Sequence, residues 1–252
     1  MTIKQTLKLC FLLLIFSCAS SKISKIEGER LTIDENINPK TEIENFIKPY
    51  REHVNKDMDN VISYAPETYT KSDGELNTAI GNLMADAVYD EGNPVFYKKT
   101  GKYIDFVLLN HGGIRSIISK GNVTTRTAYE VMPFENSVVV AAIKGDKVNE
   151  MMTYLANAKR AHPVSRQLQL TITADNEVKS ATVHKEPIDV TKTYYVATND
   201  YLYNGGDGMT FFKPNDGLTV LDYKIRNVLI DNFKKTDTLH PVRDNRFIKL
   251  NF

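Results

Sequence analysis

The sequence predicts an α+β fold, a single mixed α/β domain with layered helices and sheets. Stretches with apolar residues three and four apart, the period of one helix face, are interleaved with short apolar or alternating runs of strand type. They do not follow the strict strand–helix–strand alternation that builds a doubly wound parallel sheet. No internal repeat and no linker divides the body of the chain, so residues 41–252 are expected to form one domain.

The first residues read as a targeting segment rather than as part of that domain. Lys4 and Lys8 precede an apolar run from Leu9 to Phe16. The run is too short to cross a bilayer, which takes roughly 20 residues. It stops at Ile15-Phe16-Ser17-Cys18, which resembles a bacterial lipobox: residues 1–17 would be the signal peptide and Cys18 the lipidated residue. The alternative is a plain secretory signal with an incidental cysteine. Cys10 and Cys18 are the only cysteines, so cleavage would leave no thiol for a disulfide, a metal site or a nucleophile. Acyl chains on Cys18 would hold the protein at a membrane surface, each buried CH₂ contributing about 0.8 kcal/mol. The expected location is the bacterial outer membrane, facing the periplasm. Residues 18–40 continue as the lipidated cysteine and a flexible polar tether.

Within the domain, Ile43, Phe46, Ile47, Tyr50 and Val54 mark one face of a helix reaching Met58, with Pro49 as a potential kink. Val61 to Tyr69 reads as a short strand. Leu76 to Tyr89 is a clearer helix, interrupted by Gly81, a costly residue there unless it serves close packing or a nearby ligand. Ile104 to Leu109 and Ser137 to Ile143 are near-continuous apolar runs, expected as buried strands. A helix follows from Lys147 to Asn157, with Asp146 as its N-cap. Leu168 to Ile172 alternates as a half-exposed strand, and Val178 to Val183 and Tyr194 to Ala197 follow as strands. Leu221 to Phe233 reads as the last helix and Phe247 to Leu250 as a closing strand.

Two glycine-rich turns follow apolar strand-like runs: Asn110-His111-Gly112-Gly113-Ile114-Arg115, and Asn199 through Gly205-Gly206-Asp207-Gly208. Glycine allows φ > 0 and lets a ligand approach main-chain N–H groups. Such turns after strands are common small-molecule sites, although turn geometry alone also accounts for the glycines. Arg115 offers a fork of donors suited to phosphate or carboxylate. Asp207 offers two acceptor oxygens suited to sugar hydroxyls, and Asn110 can donate and accept. Phe134, in Met132-Pro133-Phe134-Glu135-Asn136, and Tyr201 offer flat faces for stacking a base.

Other classes find less support. The chain has 252 residues with a formal net charge of +1 and 25% charged residues, so its overall charge makes no case for a nucleic-acid polymer. Its five histidines stand singly, outside any H-x-H or H-E-x-x-H pattern. No G-x-S-x-G elbow, P-loop or G-x-G-x-x-G is present. Self-contained catalysis is therefore poorly supported, and neither a catalytic residue nor a metal ligand is assigned.

Taken in order, Gly81-Asn82-Leu83-Met84-Ala85-Asp86-Ala87, Asn110 to Arg115, Pro133-Phe134-Glu135-Asn136 and Ala197 through Gly208 resemble the C-terminal domain of the 5′-nucleotidases. That family includes periplasmic UDP-sugar hydrolases and membrane-anchored ecto-5′-nucleotidases. The resemblance implies a substrate-binding domain in which Phe134 and Tyr201 sandwich the base and Asp207 holds the ribose. Arg115 would face the ribose or phosphate end, Asn110 and Asn136 would bond around the base, and Gly113 belongs to the same substrate-binding set. Leu76-Asn77 stands where many members carry an Arg-Glu pair that helps bind phosphate. Family enzymes add an N-terminal metallophosphoesterase domain with two metals. Nothing in this sequence corresponds to it, so divalent metals are expected only in a separately encoded partner. The resulting expectation is a nucleotide-binding, lipid-anchored subunit of a 5′-nucleotidase-type phosphohydrolase. The alternatives are a non-catalytic nucleoside-binding lipoprotein and a purely structural one.

Overall fold

A computed structural model of the chain describes residues 25–34 and 36–250. The signal peptide and Cys18 inferred from sequence lie outside the described residues. The chain divides into two units, Met1–Lys48 and Pro49–Phe252. In the first unit, described residues before Thr41 are exposed and form no helix or strand. Helix α1 (Thr41–Met58) runs through the division, and Pro49 does not end it. Its apolar stripe is present as expected, but none of its residues is buried.

Among the described residues, the second unit holds three sheets. Strand β1 (Val61–Ala65) pairs antiparallel with β3 (Gly121–Thr124). The central sheet has the order β2 (Phe106–Val107), β8 (Thr193–Asn199), β4 (Ser137–Lys144), β9 (Gly217–Lys224). A third sheet has the order β10 (Phe247–Lys249), β5 (Leu168–Ile172), β6 (Val178–Val183), β7 (Glu186–Pro187). The helices of this unit are α2 (Ala79–Thr100), α3 (Thr125–Val131), α4 (Gly145–Asn157), the short α5 (Asp200–Tyr203) and α6 (Ile225–Lys234).

Apolar residues gather into two clusters, one against each face of the central sheet. Val107, Leu109, Val138, Val140 and Ala197 pack with α2, α3 and α6. Phe106, Leu108, Ala141, Ile143, Tyr194 and Val196 pack with α4 and the third sheet. A sheet covered on both faces needs apolar side chains at successive positions, which is why these strands read as continuous apolar runs.

Several boundaries differ from the sequence reading. Helix α2 starts at Ala79 because Thr78 caps it, its side chain accepting from Gly81 N–H at 3.1 Å. Leu76 and Asn77 lie before the cap. The helix then runs beyond Tyr89 to Thr100, through Pro94, and stops at left-handed Gly101. A Cβ on Gly81 would lie 2.8 Å from Thr78 Oγ1 and 3.4 Å from Pro163, so this glycine serves close packing. Helix α4 starts at Gly145, with Lys144 at the cap position and no side-chain cap bond. Asp146 is therefore not the cap but sits in the first turn, where its charge still favours the helix N-terminus. Leu221 to Lys224 belong to β9, not to the last helix. Asp222 takes φ 56° beside the register shift between β9 and β4, and the buried Leu221 joins the same cluster as Ile225, which imitates helical spacing. Only Phe106 and Val107 of the run to Leu109 pair as strand, and Leu108 makes an isolated bridge to Val164.

The Gly81–Ala87 segment anchors the C-terminal stretch. Asn82 Nδ2 donates to Val242 O at 2.9 Å and to Asn77 Oδ1 at 3.0 Å. Asn77 Nδ2 in turn donates to the carbonyls of Asp244 and Phe247, both at 3.0 Å. The Arg246 side chain, 5% exposed, pairs with Asp86 and Asp244 and donates to Val164 O at 2.9 Å. A buried cation is tolerated only with such full pairing. Arg246→Ala is expected to destabilise the protein by about 3 kcal/mol, the lower end for breaking a buried pair, because Asp86 and Asp244 keep some solvent contact. A denaturant titration reads this directly.

Candidate functional site

The topology brings three distant segments to one end of the central sheet. Strands β2 and β8 run parallel, with Phe106 opposite Val196 and Val107 opposite Ala197, so both glycine-rich turns leave from the same edge. Strand β4 is antiparallel to β8 and places Val138 opposite Asn199, so the segment before β4, carrying Phe134 to Asn136, enters there too.

The first turn is a single 3₁₀ turn, His111–Gly113, closed by Gly113 N–H donating to Asn110 O at 3.0 Å. His111 N–H donates to Nδ1 of the buried His162 at 3.3 Å. Burial lowers the His162 pKa to about 4, keeping the ring neutral and able to accept that bond.

The second turn opens on Asn199, which does two things at once. Its Oδ1 caps α5 by accepting from Leu202 N–H at 2.8 Å. Its Nδ2 donates to Asn110 Oδ1 at 2.8 Å, tying the two turns together. Asp207 adopts φ 53° between Gly205 at 90° and Gly208 at 75°. Left-handed backbone on a non-glycine residue is strained and gathers at functional turns, although Asp tolerates it better than most. Three bonds hold it there. Tyr201 OH donates to Asp207 Oδ1 at 2.9 Å and accepts from Asp207 N–H at 3.3 Å, while Tyr154 OH donates to Asp207 O at 2.7 Å. The bond to the Asp207 carboxylate is also the main reason the Tyr201 hydroxyl pKa is raised. The Tyr201 ring lies over Gly206 so closely that a Cβ there would come within 2.5 Å of it.

The Phe134 segment is gripped by consecutive residues at the β9–α6 junction. Lys224 Nζ donates to Glu135 O at 2.7 Å and Ile225 N–H to Asn136 O at 3.0 Å. Arg226 pairs with the Glu135 carboxylate, donates to Pro133 O at 3.3 Å, and lies 4.1 Å over the Tyr129 ring. Asn136 Nδ2 donates across to Asp200 Oδ1 at 2.8 Å.

These segments enclose a cavity of about 600 Å³ lined by Asn110, Gly112, Arg115, Phe134, Glu135, Asn136, Tyr201 and Asp207. Of the residues expected from sequence, Asn110, Arg115, Phe134, Asn136, Tyr201 and Asp207 all line it. Gly113 does not: it is buried below, where a Cβ would meet Asn110 Oδ1 at 3.2 Å, and Gly112 takes the lining position. Leu76 and Asn77 are buried elsewhere, with Asn77 committed to the C-terminal stretch. Phe134 and Tyr201 are 43% and 44% exposed, which leaves both rings with surface for a planar ligand. The Arg115 guanidinium sits 5.8 Å from the Phe134 ring centre. The cavity thus combines aromatic faces, a cation, two carboxylates and two side-chain amides. Among the described residues, no group of three or more His, Cys, Asp or Glu side chains is arranged to hold a metal ion.

Sequence reading missed Asn199 as the tie between the turns, Glu135 as a lining residue, and Lys224 to Arg226 as the clamp. Asn199 had a visible signal, since an Asn at a strand end before a short helical run is a favoured cap. Arg226 had none, because its partners lie about ninety positions away in sequence.

Comparison with known proteins shows the family and the fold. A family model described as 5′-nucleotidase, C-terminal domain, matches residues 56–214. The cell wall protein Lmo0130 of Listeria monocytogenes is 31% identical over 198 residues, covering 73% of this chain and 24% of that protein. Protein UshA of Escherichia coli is 31% identical over 136 residues, 53% of this chain and 23% of that protein. The crystal structure of a 5′-nucleotidase precursor from Thermus thermophilus superposes with a TM-score of 0.69 at 25% identity, covering 83% of this chain and 43% of that one. This chain therefore spans less than half the length of each of these proteins. With the family model covering most of the chain and the fold shared, the chain belongs to the 5′-nucleotidase C-terminal domain family.

Proposed function

We propose that this chain is the nucleotide-binding subunit of a 5′-nucleotidase-type phosphohydrolase, anchored by lipid on Cys18 to the bacterial outer membrane and facing the periplasm. The observation that carries the binding role is the pair of part-exposed rings, Phe134 and Tyr201, in one cavity with Asp207. A base stacks on the rings, and the Asp207 carboxylate takes ribose hydroxyls. Arg115 faces the ribose or phosphate end. The chemistry belongs to a separately encoded metallophosphoesterase, whose metals activate water against the phosphate ester. This chain contributes by fixing the nucleoside, which removes orientational freedom from the reacting phosphate. The Arg-Glu pair typical of many relatives is replaced here by the buried Leu76 and Asn77, so phosphate contacts fall to Arg115 and the partner.

A second reading is a nucleoside-binding lipoprotein with no catalytic partner, for which the two part-exposed rings, Asp207 and Arg115 supply the ligand contacts.

Calorimetric titration of residues 19–252 with adenosine, AMP and uridine tests the shared premise; saturable binding is expected. Phe134→Ala should weaken it roughly five- to 150-fold, since base stacking is worth about 1–3 kcal/mol per base. The thermal midpoint should barely move, because the ring is part-exposed. Gly206→Ala should weaken binding comparably by displacing the Tyr201 ring, and crystallography of the variant would show the shifted ring. Added to its cognate metallophosphoesterase, the chain should raise AMP hydrolysis. An unchanged rate with intact nucleoside binding would discard the subunit reading in favour of the stand-alone binding protein.

A further inference from the structure

We propose that Glu135 sets base selectivity in this cavity: its carboxylate receives the exocyclic amino group of a nucleobase and disfavours the deaminated counterpart. The inference rests on the nucleoside reading above and adds a residue and a preference to it.

Glu135 follows Phe134 directly and lines the same cavity, so its side chain borders the space beside the stacking ring. Its position is fixed from outside. The Arg226 guanidinium is 9% exposed and pairs with Glu135 Oε1, whereas the Glu135 side chain is 69% exposed. The pair is thus anchored at its inner end and open at its outer end. Lys224 Nζ holds the Glu135 carbonyl at 2.7 Å, so the backbone on either side of the carboxylate is tied as well. The same ion pair keeps the Glu135 carboxyl below the usual carboxylate range, so at neutral pH it is ionised and can only accept hydrogen bonds.

The next residue adds a further acceptor. Asn136 Nδ2 donates one of its two hydrogens to Asp200 Oδ1 at 2.8 Å, and Oδ1 is left to accept beside the remaining N–H. The carbonyls of both residues are occupied, by Lys224 and by Ile225. The ionised Glu135 carboxylate itself offers acceptors only. Arg115 and the Asn110 amide nitrogen, which donate, come from the first turn.

A base edge meeting the Glu135 carboxylate must carry N–H groups. Adenine and cytosine carry an exocyclic amino group where hypoxanthine and uracil carry a carbonyl. Amino to carboxylate is a charge-assisted bond. Carbonyl to carboxylate sets lone pair against lone pair, with no hydrogen between them to share.

The test is calorimetric titration of residues 19–252 and of its Glu135→Gln variant with adenosine against inosine and cytidine against uridine. Gln keeps the shape and can turn either an oxygen or an NH₂ toward the ligand. In the wild type the amino-bearing member of each pair should bind about tenfold tighter, the equivalent of one well-placed bond at 1.4 kcal/mol per decade. In Glu135→Gln the ratio should fall toward one, chiefly because inosine and uridine gain affinity. Equal binding within each wild-type pair, or a preference that survives Glu135→Gln unchanged, overturns the inference while leaving the nucleoside site standing. Failure of all four nucleosides to bind the wild type removes both.

Discussion

The parallel pairing of β2 with β8 is the constraint on which the cavity depends. Parallel neighbours point their ends the same way, so turns nearly ninety residues apart in sequence leave the sheet together. The Asn199–Asn110 bond then locks one turn to the other, with the same Asn199 side chain starting the short helix that carries Tyr201. Antiparallel β4 delivers the Phe134 segment to the same end. Each segment is short and irregular, but the strands that deliver them are covered on both faces by core, so the loops stand on a fixed base.

Two buried arginines do related work at different places. Arg226 holds the segment that carries the stacking ring, and Arg246 holds the C-terminal stretch against α2. In both cases the guanidinium is nearly excluded from solvent while its carboxylate partners keep some. The planar fork lets one side chain bind a carboxylate and a backbone carbonyl at once, which a lysine ammonium does with less geometric definition. The Gly81–Ala87 motif takes its place in this second network rather than in the cavity, since Asn82 and Asp86 both face the C-terminal stretch.

Much of this was legible in sequence, for identifiable reasons. Buried strands announced themselves as apolar runs, and α2 by its three-and-four spacing. The ordered motifs pointed to the family and to nearly every lining residue. What escaped depends on three-dimensional pairing. Gly113 belongs to the substrate-binding set by resemblance; only the turn geometry decides that Gly112 lines the cavity and Gly113 packs on Asn110. Leu221 was assigned to a helix because a strand residue displaced by a bulge falls into helical register with Ile225. The full extent of α2 was hidden because its second half carries many polar side chains and a proline, with Gly92 and Phe96 its buried residues there. The apolar stripe of α1 was visible in sequence, and the helix forms there with none of its residues buried.

Tyr201, Gly206 and Asp207 show how such a site can constrain its own history. The ring rests on the glycine, the hydroxyl holds the aspartate at both carboxylate and backbone, and the aspartate sustains a backbone shape it would not choose alone. A phenylalanine at 201 would keep the flat face yet release the aspartate. A larger residue at 206 would evict the ring and with it the hydroxyl. The three positions are therefore coupled, and substitutions that combine them are expected to be non-additive.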